Sequence, residues 1–336
     1  FGSRLLPSSC LHKSHIPSSC ISERTMRFSV VCAIALAASA EFREEDFSDA
    51  AYRGLDAEIT LNSDGHGAGL PVVFMHGMGD SGSNPGMKSI CASVTEKYPG
   101  TYSVCLNVAN SMASITNSLD KQLDEFVQAV RSDSKLKDGF NAVGLSQGNL
   151  LIRAYIERYN SPKVNTFVSM CGPHGGIQTC PGIYKLVCGL WKIDVYEHSF
   201  AFSDYWKDPT DKDKYLSKNR FLADINNEKE TKNATYAANI KSLTKYVMVE
   251  AKQDSMVLPH ESEQHGFYKW GSTSDTEQLE ETEGYKGDWL GLQTLDKAGK
   301  LKKLTYDGDH LRWSATFWED TILPFLGPGS PVSVMV

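Results

Sequence analysis

The chain has 336 residues, enough for one large α/β domain or two smaller ones, and its 41% apolar content permits a sizeable core. A formal net charge of -7 argues against nucleic acid as the main partner, because neutralising phosphates requires a basic surface. No apolar run of spanning length occurs beyond the N-terminal region, so no transmembrane helix is expected.

Residues 1–25 are rich in Ser, Pro and His and read as upstream sequence without a fold of its own. Met26-Arg27 opens a short positive segment, Phe28 to Ala38 is apolar, and Ala38-Ser39-Ala40 fits a small-residue cleavage site. Residues 26–40 therefore read as a secretory signal peptide, which places the chain in the secretory pathway and permits disulfides. Five cysteines follow Ala40, and the odd count leaves at least one thiol free or paired with another chain. Cys180 and Cys188, around Pro181-Gly182, have the spacing of a small bridged loop, while the pairing of Cys91, Cys105 and Cys171 stays open. There is no Cys-x-x-Cys and no His-rich cluster, so neither a metal nor a cofactor is expected. Asn233-Ala234-Thr235 is a glycosylation acceptor.

Pro71 to Met75 is a continuous apolar run, as in a strand buried on both faces of a parallel sheet. It ends in the glycine-rich loop His76-Gly77-Met78-Gly79-Asp80-Ser81. Met87 to Tyr98 predicts a helix, and Tyr102 to Val108 the next strand. Ile115, Leu119, Leu123, Phe126, Val127 and Val130 recur at the spacing of an amphipathic helix. Asn141 to Leu145 predicts a strand that meets Gly144-Leu145-Ser146-Gln147-Gly148, and Leu150 to Tyr159 a helix. Val164 to Met170 is another strand. This alternation predicts a mostly parallel, doubly wound sheet. It stops at Gly172, and residues 172–240 read as a mainly helical insertion over the sheet's carboxyl edge, its apolar residues forming a groove for an acyl chain. Lys245 to Glu250 and Leu301 to Tyr306 return to strand, Trp313 to Leu326 predicts a closing helix, and 328–336 is a tail.

Gly-x-Ser-x-Gly between a strand and a helix is the form of a nucleophile elbow. A serine hydroxyl needs an imidazole to take its proton, and the imidazole needs a carboxylate to hold its tautomer. Ser146, Asp254 and His310 follow strands in the order Ser, acid, His that the α/β-hydrolase fold uses. The backbone N–H groups of Met78 and Gln147 are the candidate oxyanion donors. Of the other histidines, His76 is expected to brace backbone, His174 to line the pocket, and His260 and His265 to be solvated. Asp307 and Asp309 are expected to shape the loop of His310, and Glu250 to point away.

The glycine-rich loop at 76–81, the elbow, Phe221-Leu222-Ala223-Asp224-Ile225-Asn226, Gly266-Phe267-Tyr268, Leu279-Glu280-Glu281-Thr282 and Gly308-Asp309-His310 together resemble palmitoyl-protein thioesterase of the lysosomal type, from about Pro71 to Gly327. The resemblance implies an α/β-hydrolase domain over residues 41–327, with Ser146 as nucleophile, Asp254 as acid, His310 as base and Met78 and Gln147 as the oxyanion hole. It also matches the Cys180–Cys188 pair to a family disulfide. The implied function is removal of palmitoyl and other long-chain acyl groups from S-acylated proteins or peptides by a monomer in the lysosome, with release from the cell a further possibility. Gly82-Ser83, Val127 and Tyr159 stand where the family has cysteines. Asn149 replaces a glycine common after the elbow, which bears on the pocket wall. A lipase, esterase or acyl-CoA hydrolase of the same fold, and a non-catalytic lipid-binding protein, are the alternatives.

Overall fold

Parallel strands form the centre of the structure, a computed structural model that describes residues 69–179 and 200–328. The signal segment, the Cys180–Cys188 pair and the apolar group from Leu186 to Val195 lie outside the described residues. The elements in chain order are β1 (Val72–Met75), α1 (Pro85–Lys97), β2 (Ser103–Cys105), α2 (Met112–Thr116), α3 (Leu119–Ser132), β3 (Phe140–Leu145), α4 (Gly148–Arg158) and β4 (Val164–Met170). After β4 come α5 (Lys212–Lys218), α6 (Leu222–Ile225), α7 (Ala234–Lys241), β5 (Lys245–Ala251), the short strands β6 (Phe267–Tyr268) and β7 (Thr276–Glu277), α8 (Glu283–Lys286), α9 (Leu292–Lys297) and β8 (Leu301–Tyr306).

Six strands form one parallel sheet in the order β2-β1-β3-β4-β5-β8, and β6 and β7 pair separately as an antiparallel hairpin. The chain runs outward from β1 to β2 and then returns past β1 to β3, so the winding reverses between β1 and β3. In open α/β sheets ligands bind beyond the strand carboxyl ends at such a reversal. The loop after β1 and the elbow after β3 both lie there. This is the α/β-hydrolase architecture expected from the sequence.

Strand alternation divides the core into two layers. Val72 and Phe74 face Met87, Ile90, Val94, Trp318 and Ile322 on one side of the sheet. Val73 and Met75 face α3 and α4 through Leu123, Phe126, Leu150 and Leu151 on the other. Local chemistry fixes the ends of these helices. Asn84 caps α1 by accepting from the N–H of Gly86 at 2.9 Å, with Pro85 just inside. The expected helix through Ile115 and Val130 breaks into α2 and α3 because Ser118 caps α3, accepting from Lys121 N–H at 3.4 Å. The expected closing helix becomes a wide turn over Phe317–Ile322 followed by a tight one over Leu323–Phe325, because Pro324 has no N–H to continue the ladder. The sheet's own helical layer resumes at α7, where Asn239 Nδ2 donates to the Glu157 carbonyl of α4 at 3.0 Å. A disulfide joins Cys91 on α1 to Cys105 on β2, with the Cα atoms 6.1 Å apart, and Cys171 is a buried free thiol.

Helix α4 is enclosed between the sheet and its neighbours, so even its charged residues Arg153 and Glu157 are inaccessible. Arg153 Nε lies 3.4 Å from Glu157 Oε1, and neither side chain is exposed. Burial pushes the Glu157 carboxyl up to about 8, although Arg153 and Arg158 pull it back. The unfolded chain releases this proton near pH 4.5 while the folded chain keeps it to about 8. Its contribution is therefore complete below about 4.5 and is lost as pH rises through that interval. Denaturant titrations of wild type and Glu157→Gln between pH 5 and 7.5 are expected to show a shallower decline in the variant, by on the order of 1 kcal/mol per pH unit.

Candidate active site

The elbow is built by close approach. Met75 and Ser169 flank Gly144 in register, so the turn after β3 forms between two filled strands. A Cβ on Gly144 would fall 2.8 Å from Asn149 Cα, and one on Gly148 would fall 2.4 Å from the His76 carbonyl oxygen. Only glycine lets the first turn of α4 pass this near to β3 and to the end of β1. Ser146 is held at φ 50°, a left-handed conformation uncommon for a side-chain-bearing residue, with its N–H donating to the Met170 carbonyl at 2.9 Å. The strain lifts the serine out of the strand line at the sheet's carboxyl edge.

Asn149 is turned into this elbow. It is fully buried and its Nδ2 donates to the carbonyls of Ser146 and Met170 at 3.0 and 2.9 Å. It braces the turn from within.

The loop after β1 crosses directly above the elbow. A Cβ on Gly77 would lie 3.2 Å from Ser146 Cβ. His76 braces this loop as expected, its ring nitrogens lying 2.8 and 2.7 Å from the carbonyl oxygens of Gly77 and Val108. Neither the Met78 nor the Gln147 N–H has a hydrogen-bond acceptor among the described residues. The Gln147 side chain is fixed instead: its Nε2 donates to Ser114 O at 2.9 Å and to Gln122 Oε1 at 3.2 Å, and its Oε1 accepts from Tyr205 Oη at 3.1 Å. Tyr205 Oη also lies 3.7 Å from Met78 Sδ. Tyr205 thus contacts both residues expected to supply oxyanion donors. Nothing in the sequence distinguishes it from the other aromatic residues of the insertion.

Asp254 and His310 meet across two loops. His310 Nδ1 lies 2.5 Å from Asp254 Oδ2, with both side chains buried. An ionised carboxylate only accepts, so Nδ1 carries the proton and Nε2 is left as the acceptor nitrogen. Asp254 Oδ1 accepts from the N–H groups of Met256 and Val257 at 2.7 and 2.6 Å. Burial alone would raise the Asp254 pKa. The His310 charge and hydrogen bond and the Val257 amide outweigh it and hold the carboxyl below the usual range.

The two loops are stitched together as expected for Asp307 and Asp309. Asp309 Oδ1 accepts from the N–H groups of His310 and Ser255 at 2.7 and 2.8 Å, and Gln253 Nε2 donates to Asp307 Oδ1 at 2.9 Å. Glu250 points away, toward His260 at 2.8 Å. Among the described residues, no hydrogen bond joins Ser146 Oγ to His310.

The other histidines divide differently from the expectation. His260 is partly exposed, and His265, half-buried, is held by partners rather than free in solvent: its Nδ1 accepts from Arg153 Nη1 at 3.2 Å and its Nε2 lies 2.9 Å from Tyr246 Oη. His174 stacks on it with ring centroids 4.5 Å apart. Burial holds both imidazoles well below the usual range, so they are neutral. The left-handed backbone of His265, at φ 65°, turns its ring inward, and the polar sequence around it gives no sign of this. Both rings line a cavity of about 220 Å³ with Lys207, Trp270, Tyr285 and Trp289, and Ser146, Asp254 and His310 are not among its lining residues.

Cys171, Asp254, Glu263 and His310 place one donor atom each within 4.8 Å of one another, a set of types that transition metals use. Here His310 and Asp254 are already spent on each other, and Cys171 Sγ lies 3.2 Å from Tyr306 Oη, so the cluster is accounted for by hydrogen bonding.

Comparison with known proteins places the chain in a family. The family model for palmitoyl protein thioesterase matches residues 71–310, a span that contains the elbow, Asp254 and His310. Palmitoyl-protein thioesterase 3 of Dictyostelium discoideum is 37% identical over 237 residues, covering 69% of this chain and 81% of that protein. Lysosomal thioesterase PPT2 of Homo sapiens is 28% identical over 269 residues, covering 76% and 87%. Among solved structures, a monoacylglycerol lipase from Paleococcus ferrophilus covers 78% of this chain and 96% of its own at 12% identity, with a TM-score of 0.42. The chain belongs to the palmitoyl-protein thioesterase family and is a thioester hydrolase.

Proposed function

We propose that Ser146, His310 and Asp254 work as a catalytic triad that removes long-chain acyl groups from cysteine thiols. The observation that carries this reading is the buried Asp254–His310 hydrogen bond at the same sheet edge as a serine held at φ 50°. His310 Nε2 takes the Ser146 proton as Oγ attacks the thioester carbonyl carbon. The Met78 and Gln147 N–H groups receive the oxyanion in the space beside the elbow. The carbon–sulfur bond breaks, the thiol leaves with the proton from His310, and an acyl-serine ester remains. Water then attacks that ester, with His310 again taking the proton; the bond from the acyl carbon to Oγ breaks, His310 returns the proton to Oγ, and the fatty acid departs. Apo sites often hold the serine and imidazole beyond hydrogen-bonding distance, and substrate draws them together.

The lysosome is the proposed compartment. The name of the human relative, the secretory signal at 26–40 and the acceptor at Asn233 support it. Asn233 is exposed at the start of α7; its Oδ1 accepts from Thr235 N–H at 3.0 Å, and Nδ2, the atom a glycan would take, has no partner among the described residues. Among the described residues no helix is long and apolar enough to cross a membrane.

Ser146→Ala is expected to lower kcat/KM on a palmitoyl thioester by on the order of a thousandfold or more, and to abolish labelling by a fluorophosphonate probe. Turnover retained by that variant would remove Ser146 from the mechanism. Tyr205→Phe keeps the ring and loses the hydrogen bond to Gln147. It is expected to reduce kcat by about fivefold, the scale of one neutral hydrogen bond, with KM nearly unchanged.

A further inference from the structure

A second carboxyl group lies buried behind Asp254, and the hydrolysis scheme leaves it without a task. Glu263 sits on the tight helical turn His260–Gln264 and is fully inaccessible. Its Oε2 accepts the N–H of Ala251, the last residue of β5, at 2.9 Å. Its Oε1 finds no donor. The titratable groups facing it are Asp254 on the loop after β5, Cys171 after β4, Tyr306 on β8 and His310 beyond it. On its own turn, His260 and Glu261 pair outward, His260 with Glu250.

Two ionised carboxylates cannot share this dry space, so the pair holds one proton. Its location follows from a count of donors. Asp254 accepts from Met256, Val257 and His310, all of which favour its ionised form. Glu263 has fewer donors, one amide from Ala251 and the weak thiol of Cys171. The Glu263 and Asp254 carboxyl oxygens lie within 4.8 Å of one another, so a proton on Oε1 turns an orphaned acceptor into a donor for the neighbouring Asp254 carboxylate. Burial first and the neighbouring Asp254 second push the Glu263 carboxyl well above its ordinary range.

We propose that Glu263 is a positioning residue of the active site, a neutral carboxylic acid whose hydrogen bond to Asp254 holds that carboxylate ionised and aimed at His310 Nδ1. The inference rests on the triad reading above. When Glu263 loses its proton at alkaline pH, two like charges face each other and Asp254 is driven from its line with His310. The Glu263 proton therefore sets the alkaline limit of activity. Glutamine reproduces the neutral acid: its carbonyl accepts from Ala251 and its amide donates to Asp254, with no proton to lose. Leucine keeps the volume and removes the donor.

The test is the pH profile of kcat and KM on an S-palmitoyl peptide from pH 5 to 9, for wild type, Glu263→Gln and Glu263→Leu, with Asp254→Asn and His310→Ala alongside. Glu263→Gln should keep kcat within about threefold of wild type at acid pH and extend activity to higher pH. Glu263→Leu should lose about tenfold or more in kcat with KM little changed, the scale of one hydrogen bond to a buried charge. An alkaline limb in Glu263→Gln that coincides with wild type overturns the proposal, and this comparison holds even if the leucine variant does not fold. A folded Glu263→Leu with wild-type kcat and pH profile also overturns it. If Asp254→Asn and His310→Ala lose turnover in that case, the triad reading stands and only the role of Glu263 falls. If those two variants keep turnover, the triad reading itself falls.

Discussion

The rest of the site depends on one steric constraint, the passage of α4 across the ends of β1 and β3. A side chain at position 148 would strike the carbonyl oxygens of His76 and Met75, at 2.4 and 2.5 Å from its Cβ. That closeness fixes where the chain can turn, and the turn forces Ser146 into its left-handed conformation. The same closeness lays the loop after β1 over the elbow, Gly77 lying against Ser146, and leaves the Met78 and Gln147 amides without acceptors among the described residues. The strained serine and the proposed oxyanion space are therefore products of one contact, and the sheet's reversal between β1 and β3 supplies the room beyond them.

The interior carries an unusual charge pattern for its depth. Glu157 and Glu263 are buried acids whose pKa values are raised, and His174 and His265 are imidazoles whose values are lowered. All four are shifted toward their neutral forms by burial, but their effects on stability have opposite signs. The acids cost stability as pH rises above the ordinary carboxylate range, because the unfolded chain then releases protons that the folded chain keeps. The histidines cost stability as pH falls below about 6.5, because the unfolded chain then takes up protons that the folded chain refuses. The fold is thus bounded on both sides of a mildly acidic interval by groups that surround α4 and the end of β5.

What the sequence made legible was whatever is local. The elbow is five residues long and flanked by an apolar run and a helical one, so Ser146 and the parallel sheet could be read directly. Asp254 and His310 followed from chain order after two strands. Glu263 could not be found that way. His-Glu-Ser-Glu-Gln-His reads as a solvated stretch, and its burial arises only because the turn packs against the end of β5, where Ala251 needs an acceptor. His265 was misread for the same reason, its inward direction being set by a backbone angle that a string of polar letters does not display. The Cys91–Cys105 bridge depends on α1 lying beside β2, a matter of packing rather than spacing. Asn149 occupies a glycine's place, yet its side chain serves the turn by bonding two carbonyls.

The hydrogen bonds between the loops after β5 and β8 also settle which distance in the site is adjustable. Gln253 N–H donates to the Gly308 carbonyl at 3.0 Å, Asp309 takes both the N–H and the hydroxyl of Ser255, and Tyr306 Oη donates to Asp309 O at 2.8 Å. Asp254 and His310 consequently belong to one stitched unit, with Glu263 behind it. Ser146 belongs to another, anchored by β3, β4 and α4. Among the described residues, the hydrogen bonds of Asp254 and His310 stay within their unit, and those of Ser146 run to Met170 and Asn149. The acid–base pair is therefore preorganised by covalently distant but tightly bonded loops. If the triad proposed above operates, the separation of hydroxyl and imidazole is the coordinate that a bound thioester has to set.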